Sequence, residues 1–382
     1  MRALPSHTVV KALGKGTPEV SVIVPAYKAR TTLREAVDSL LRQTFQNLEV
    51  LVIDDASPDD STDVLLDIGD SRLGIVRLHH NVGLPGARNL GLALSRGPFV
   101  ALLDSDDISK PTRIARQLRA FEGRPDLGLV GCLVNRIDVQ GRRVERGVDP
   151  WRLDDAALKA FMIFNNPFPA VTQMLRRSAI PEGGFRPIYA EDYAMAADVA
   201  RHHNVTVVRA ALVDYRESPG GIMGTKLEQV CHDTLITQRS LVQDVGVGAE
   251  RYDPSLMGAL MHFGTQRAGA LSFDRMVALR QWMQDVEEAN ARSGCHPPDA
   301  LARAAARAWD RVLLHATKLE GMRLRRRYVA DLLAYRVSVG RPSVRGRAPV
   351  HALLNEFKRP PAAARPAVGD RSPTKAHDVE FL

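Results

Sequence analysis

Three carboxylates within four positions close an apolar run in Phe99-Val100-Ala101-Leu102-Leu103-Asp104-Ser105-Asp106-Asp107. Like charges this close repel, so the cluster is most comfortable around a cation. Hard divalent ions such as Mg2+ and Mn2+ take oxygen ligands, commonly one or two carboxylates plus substrate phosphates. The chemistry on offer is metal-assisted work on a phosphate-bearing substrate. An acidic strand-to-helix loop with capping Asp residues is the alternative that this motif alone leaves open. A second acidic pair, Glu191-Asp192, opens a helical pattern. Asp192 there suits a general base, and acid placement at a helix N-terminus is the other reading. Arg88 falls in the first turn of a helix opened by Pro85, where a cation suits a diphosphate or a base carbonyl, or pairs with a nearby carboxylate. Asp54-Asp55 end another apolar run, as ligand contacts or as turn and capping residues. Arg216 precedes Glu217-Ser218-Pro219-Gly220-Gly221, a glycine-rich segment able to hinge over a ligand or simply to connect.

The elements that must position these residues are legible from periodicity. Val20–Val24, Leu48–Ile53, Gly74–Leu78, Phe99–Leu103 and Leu127–Val134 read as strands. Helices follow the first, third and fourth, and a short one, Ser61–Ile68, follows the second, with Leu33, Val37, Leu40 and Leu41 at helical spacing after a capping box of Thr32 and Glu35. Alternation of strand and helix predicts right-handed βαβ units around a mostly parallel sheet, with ligands at the carboxyl ends of its strands. Beyond Trp151 the pattern predicts a helix over 154–164, strands over 171–176 and 205–208, and a helix over 191–201. From Lys226 onward it is helical, over 227–245, 255–268, 275–291 and 299–338. Residues beyond Gly340, with Arg341-Pro342, Arg359-Pro360-Pro361 and Arg365-Pro366, read as a disordered tail.

With 45% apolar and 25% charged residues, the 382-residue chain reads as an ordinary soluble protein of one large domain and a smaller one. No apolar run approaches the roughly 20 residues of a membrane span, and Met1–Pro18 lacks the apolar core of a secretory signal. Cys132, Cys231 and Cys295 lie far apart and outside any CxxC, which predicts a reducing compartment and argues against a zinc site. Residues 321–382 carry 13 Lys and Arg against 5 Asp and Glu, matching the net charge of +8 of the whole chain, so residues 1–320 balance to zero. That basic end, with Arg323, Arg325, Arg326 and Arg327, reads first as a solvated face and second as a contact for an anionic membrane surface. Its few aromatic residues argue against nucleic acid. Tandem His79-His80 and His202-His203 point to opposite faces in extended chain and make no convincing metal site.

Several ordered segments resemble glycosyltransferase family 2. They are Val20–Tyr27, Glu49–Ser57, Asn81-Val82-Gly83 with Ala87-Arg88-Asn89 and Gly91, Leu103–Asp107, Glu191-Asp192 and Tyr215-Arg216, spread over residues 19–223. The resemblance implies a GT-A type α/β domain over residues 20–224. An N-terminal extension (1–19) precedes it, and a helical C-terminal region (225–339) and a basic tail (340–382) follow. It implies metal-dependent, inverting transfer of a sugar from a nucleotide-diphosphate donor, a UDP-sugar in the first instance. The acceptor would be a hydroxyl of a glycan, a lipid-linked saccharide or a protein, in cell-surface polysaccharide assembly at the cytoplasmic face of a bacterial membrane. Pro25, Tyr27, Asp54, Asp55, Arg88, Asp104 and Ser105 then contact the nucleotide-sugar. Asp106 holds Mn2+ or Mg2+, Asp192 is the base, and Asp107, Glu191 and Arg216 support them. Two positions depart from the family: Lys28 stands where Asn is usual, and Asp198 where Arg is common. The rival functions are a catalytically inactive scaffold of the same fold and a nucleotidyltransferase. The latter carries a glycine-rich, basic loop where this chain has Pro25-Ala26-Tyr27-Lys28.

Overall fold

Apolar runs bounded by turn residues become the central strands of a ten-stranded mixed sheet. Its strands are β1 (His7–Lys11), β2 (Val20–Ala26), β3 (Leu48–Asp54), β4 (Leu73–Leu78), β5 (Phe99–Leu102), β6 (Ile108–Ser109), β7 (Leu127–Ile137), β8 (Arg143–Glu145), β9 (Met174–Arg176) and β10 (Asn204–Arg216). The spatial order is β1-β4-β3-β2-β5-β9-β7-β10-β6, with β8 beside β7. This computed structural model describes residues 4–145, 152–218, 220–254, 256 and 273–319. The expected helix over 255–268, the end of the last helix and the basic tail therefore lie outside the described residues.

Strands β4, β3, β2 and β5 are parallel neighbours, as their near-continuous apolar sequences require of strands covered on both faces. Ile23, Ile53, Val76, Val100 and Leu102 face one core, and Val22, Val24, Val50, Val52 and Leu103 the other. With apolar residues on both faces, alternation alone does not pin register. A buried polar pair does so here: Ser21 lies opposite Glu49 and donates to its Oε1 at 2.6 Å. Arg96 and the N–H of Gly97 complete that lock at the amino end of the sheet. The carboxyl ends are thereby left to carry the acids.

Helix α1 (Leu33–Leu41) and α3 (Arg113–Phe121) cover one face; α2 (Gly83–Leu94), α4 (Asp155–Phe161) and α5 (Glu191–His202) cover the other. Gly91 lets α2 lie directly on β2, because a Cβ there would stand 2.5 Å from Ile23 Cγ2. The expected capping box of α1 does not form: Thr32 makes no side-chain cap, and Glu35 reaches Arg216 instead. The N-terminal extension joins the sheet. His7–Lys11 adds an antiparallel edge strand to β4, and Ser6 and Thr8 both bond the ring of His79.

After β10 come α6 (Ile222–Thr225), α7 (Leu227–Asp244), α8 (Phe273–Ser293) and α9 (Pro298–Leu319). The helical region shares a core with the sheet domain. Trp282, Met283, Leu301 and Trp309 pack with Phe161 and Phe164, and the Phe164 and Trp282 rings meet edge-on at 6.1 Å. Arg303 bonds Asp154, the N-cap of α4, at 2.8 Å.

Candidate active site

Parallel strands β2, β3 and β5 end on one edge, with Ala26 opposite Asp54 and Ile23 opposite Leu102. The acidic loop Asp104–Asp107 leaves that edge directly. Asp104 is about a third exposed, and Asp107 is fully buried. Burial and the neighbouring Asp104 push the Asp106 carboxyl up to about 6, against the pull of Arg216. Burial, with Asp104 and Asp106, also pushes the Asp107 carboxyl well above the usual carboxylate range. Among the described residues no other residue donates to the Asp106 carboxylate, and Asp107 Oδ2 has no partner. These oxygens suit a hard divalent cation. The same residues include no set of three or more side chains gathered into a cage.

Arg88 sits at the centre. It is fully buried on α2, and one terminal nitrogen bonds Asp104 Oδ1 at 2.6 Å while the other contacts Glu191 Oε1. Its carbon Cζ lies 5.8 Å from the Phe185 ring centroid. Burial disfavours its charge, but Asp104, Glu191 and Asp192 together outweigh burial and hold it protonated. One guanidinium thus joins the acidic loop to the first turn of α5. Of the two sequence readings, pairing with carboxylates is the one realised. Arg88 is 1% exposed, and its Nε has no hydrogen-bond partner among the described residues.

Asp192 follows Glu191 at the start of α5. Its Oδ2 accepts from the N–H of Ala170 at 3.0 Å and from Asn166 at 3.2 Å, and its Oδ1 from the N–H of Tyr193 at 2.7 Å. Burial nonetheless dominates and raises its carboxyl, against the pull of Arg88 and the N–H groups of Tyr193 and Ala170. Burial likewise pushes Glu191 upward against the pull of Arg88. Asp198, at the departure from the family pattern, forms its own ion pairs with Arg186 and Arg201, each at 2.6 Å.

Two expected nucleotide contacts are otherwise engaged. Asp54 is fully buried; its carboxylate accepts from the N–H of Ser57 at 2.8 Å and from Arg77 Nε at 3.0 Å. It has no surface to offer a donor and acts as a turn-and-strand clamp. Asp55 accepts from the N–H groups of Val82 and Gly83 at 2.7 and 2.9 Å, so it closes the entry to α2. Pro25 is buried at the end of β2, whereas Tyr27 is 46% exposed, with Lys28 Nζ 5.3 Å from its ring centroid. Lys28 takes φ +54°, a left-handed conformation that Asn tolerates better than Lys, and its N–H donates to Ser57 Oγ at 3.3 Å. Ser105 lies half-buried between the two acids.

Arg216 is the last residue of β10 and is buried, so it is a fixed clamp and not part of a hinged segment. Its Nε donates to the Asp106 carbonyl at 2.8 Å, its N–H to Asp107 Oδ1 at 2.7 Å, and a terminal nitrogen to Glu35 at 2.7 Å. Sequence reasoning passed over Glu35 as a site partner, and also Asn166, Ala170 and Gln173, which surround Asp192. Pro167 and Pro169, flanking Phe168 in Asn165-Asn166-Pro167-Phe168-Pro169, were the available sign of a rigid loop.

Residues 21–182 match the family model described as glycosyl transferase family 2. An Escherichia coli protein named UDP-Glc:alpha-D-GlcNAc-diphosphoundecaprenol beta-1,3-glucosyltransferase WfaP is 29% identical over 234 residues, covering 60% of this chain and 88% of its own. An uncharacterized glycosyltransferase of Haemophilus influenzae is 30% identical over 183 residues, 47% of this chain and 71% of its own. The structure of S. aureus TarS residues 1–349 with UDP-GlcNAc superposes with a TM-score of 0.52 at 17% identity, over 82% of this chain and 92% of that one. The mannosyltransferase PcManGT from Pyrobaculum calidifontis, with GDP-Man and Mn2+, gives 0.50 at 19% identity, over 86% and 88%. Sequence and fold agree: the chain is a transferase with a GT-A type fold and belongs to glycosyltransferase family 2.

Proposed function

We propose that this enzyme transfers a sugar, with inversion, from a UDP-sugar to a hydroxyl of a lipid-linked saccharide, using a divalent metal. One observation carries the reading: Arg88 ties Asp104 of the acidic loop to Glu191, whose neighbour Asp192 is held by three hydrogen-bond donors. This geometry supports a loop that would bind metal beside a residue that would act as base. Asp106 would hold Mn2+ or Mg2+, with Asp107 behind it, and Asp104 would meet the donor sugar. Tyr27 offers an exposed ring on which a base can stack. When bound, the cation offsets the charge that develops on the departing diphosphate. Asp192 takes the proton of the acceptor hydroxyl as its oxygen bonds to the anomeric carbon. The carbon–oxygen bond to the diphosphate breaks on the opposite face, so the configuration inverts. A positioned base of this kind contributes roughly 10²–10⁴-fold.

The donor and acceptor classes rest on the relatives. The E. coli protein's name gives UDP-Glc and a GlcNAc-diphosphoundecaprenol, and the two structural neighbours hold UDP-GlcNAc and GDP-Man with Mn2+. Among the described residues no helix is long and apolar enough to cross a membrane. A lipid-linked acceptor would then be met at the membrane surface, with the basic C-terminal end as the proposed contact.

The test is calorimetric binding of UDP with Mn2+, followed by transfer from UDP-glucose to a short-chain GlcNAc-diphospholipid. Asp106→Ala abolishes metal-dependent UDP binding. Asp192→Asn keeps binding and loses transfer. Unchanged UDP binding in the first, or near-wild-type turnover in the second, overturns the corresponding assignment.

A further inference from the structure

Gln173 is fully buried and touches both halves of the site. Its backbone carbonyl accepts from the N–H of Leu102 at 3.1 Å, two residues ahead of Asp104. Its side-chain amide donates to the Phe168 carbonyl at 2.8 Å and to the Asp192 carbonyl at 3.0 Å, while its Oε1 has no partner. Arg113, fully buried beside it, forms no ion pair among the described residues. Arg113 Nε donates to Gln117 at 2.9 Å. One terminal nitrogen bonds the Leu102 carbonyl at 2.8 Å and approaches the Gln173 carbonyl at 3.5 Å, and the other has no partner. Gln117 donates in turn to the Val130 and Thr172 carbonyls at 2.8 and 2.7 Å.

This network is costly for stability alone. A buried amide oxygen without a donor, and a buried guanidinium without a touching carboxylate, each carry a desolvation penalty that a Met or Leu of similar volume avoids. Local rules broken in a core mark places where function, not folding, sets the residue. What these residues join is the strand that launches the acidic loop and the residue that serves as base.

We propose that Gln173 is a positioning residue that fixes Asp192 relative to the Asp104–Asp107 loop, with Arg113 anchoring the β5 end of the tether. The proposal rests on Asp192 being the base. Misplacing a reacting group by about 1 Å costs roughly 10²-fold in rate, which is the loss expected when the Gln173 amide is removed.

The test compares Gln173→Met with Gln117→Met, which loses buried hydrogen bonds of the same network but none to Asp192. Gln173→Glu, of unchanged shape, is the second variant should Gln173→Met not fold. In Gln173→Met, the transfer kcat falls by about 10²-fold, while the calorimetric Kd for UDP with Mn2+ stays within about twofold. Hydrogen exchange in peptides covering 166–173 and 190–196 rises by about tenfold, since local opening there becomes cheaper; peptides from β2 to β4 do not change. A folded Gln173 variant with unchanged exchange in those peptides overturns the proposal, as does an equal effect of Gln117→Met. The exchange arm needs no substrate. A wild-type protein inactive with UDP-sugars would overturn the proposed donor class while the exchange result still decides the role of Gln173.

Discussion

Replacing Arg88 with Met removes the cation that two carboxylates share while keeping an apolar stem of similar length. Glu191 is then a buried acid without its counter-ion, and Asp104 loses its 2.6 Å partner. Breaking a buried pair by deleting one member costs about 3–5 kcal/mol, because the partner charge stays desolvated. The Asp104 side is about a third exposed and adds little. With unfolding entropy of about 2.1 cal/mol/K per residue over a region of roughly 300 residues, the expected fall in Tm is roughly 5–8 °C. The pH dependence follows from the sign of the Glu191 shift. Burial, Asp192 and Asp104 all raise its carboxyl, and only Arg88 opposes them strongly. Without Arg88 its folded-state pKa rises further above the unfolded value, so Glu191 favours folding below the unfolded pKa and that contribution is lost as pH climbs. The wild-type carboxyl is already pushed up to about 8, so the deficit of Arg88→Met should be flat from about pH 5 to 7 and grow as pH climbs past about 8. Arg88→Lys, with one ammonium for two acceptors, should fall between. Urea unfolding of the three proteins at about pH 6 and about pH 9, on either side of the Glu191 value, is the assay. A deficit under about 1 kcal/mol, or one that grows on acidification, would refute the bridging role of Arg88.

Asp106→Asn should stabilise the metal-free protein at pH 7.5 by about 1–2 kcal/mol after solvent screening, and by almost nothing at pH 4. The wild-type carboxyl, pushed up to about 6, favours the fold only while protonated; equal stability at pH 7.5 would contradict this. Asp54→Ala should lose about 1–3 kcal/mol through its orphaned partners Ser57 N–H and Arg77, with UDP affinity intact; a tenfold weaker UDP affinity at unchanged stability would restore Asp54 to the nucleotide site. Gly91→Ala gains about 1 kcal/mol of helix propensity. It also drives a Cβ to 2.5 Å from Ile23 Cγ2, an overpacking that costs about 1–3 kcal/mol. Calorimetry should show a lower Tm, and a rise would mean that α2 shifts freely on β2.

The sequence by itself determined the central sheet and its active edge. Runs such as Val20–Val24 and Leu48–Ile53 are apolar except at Ser21 and Glu49, a pattern that suits strands covered on both faces, and the acids at their ends mark the edge where ligands bind. The order of motifs along the chain determined the family. Tertiary structure alone decided what each polar side chain does, because hydrogen-bond partners come from residues far apart in sequence. Arg88 and Glu191 lie 103 positions apart, Arg216 and Glu35 181. Nothing local distinguishes Asp54, spent on Arg77, from Asp106, whose carboxylate no other described residue engages. The same holds for Gln173: a lone glutamine before a short strand carries no signal until folding brings Leu102 and Asp192 to its two ends. Short-range patterns select elements, whereas the burial and pairing of charge depend on how those elements meet.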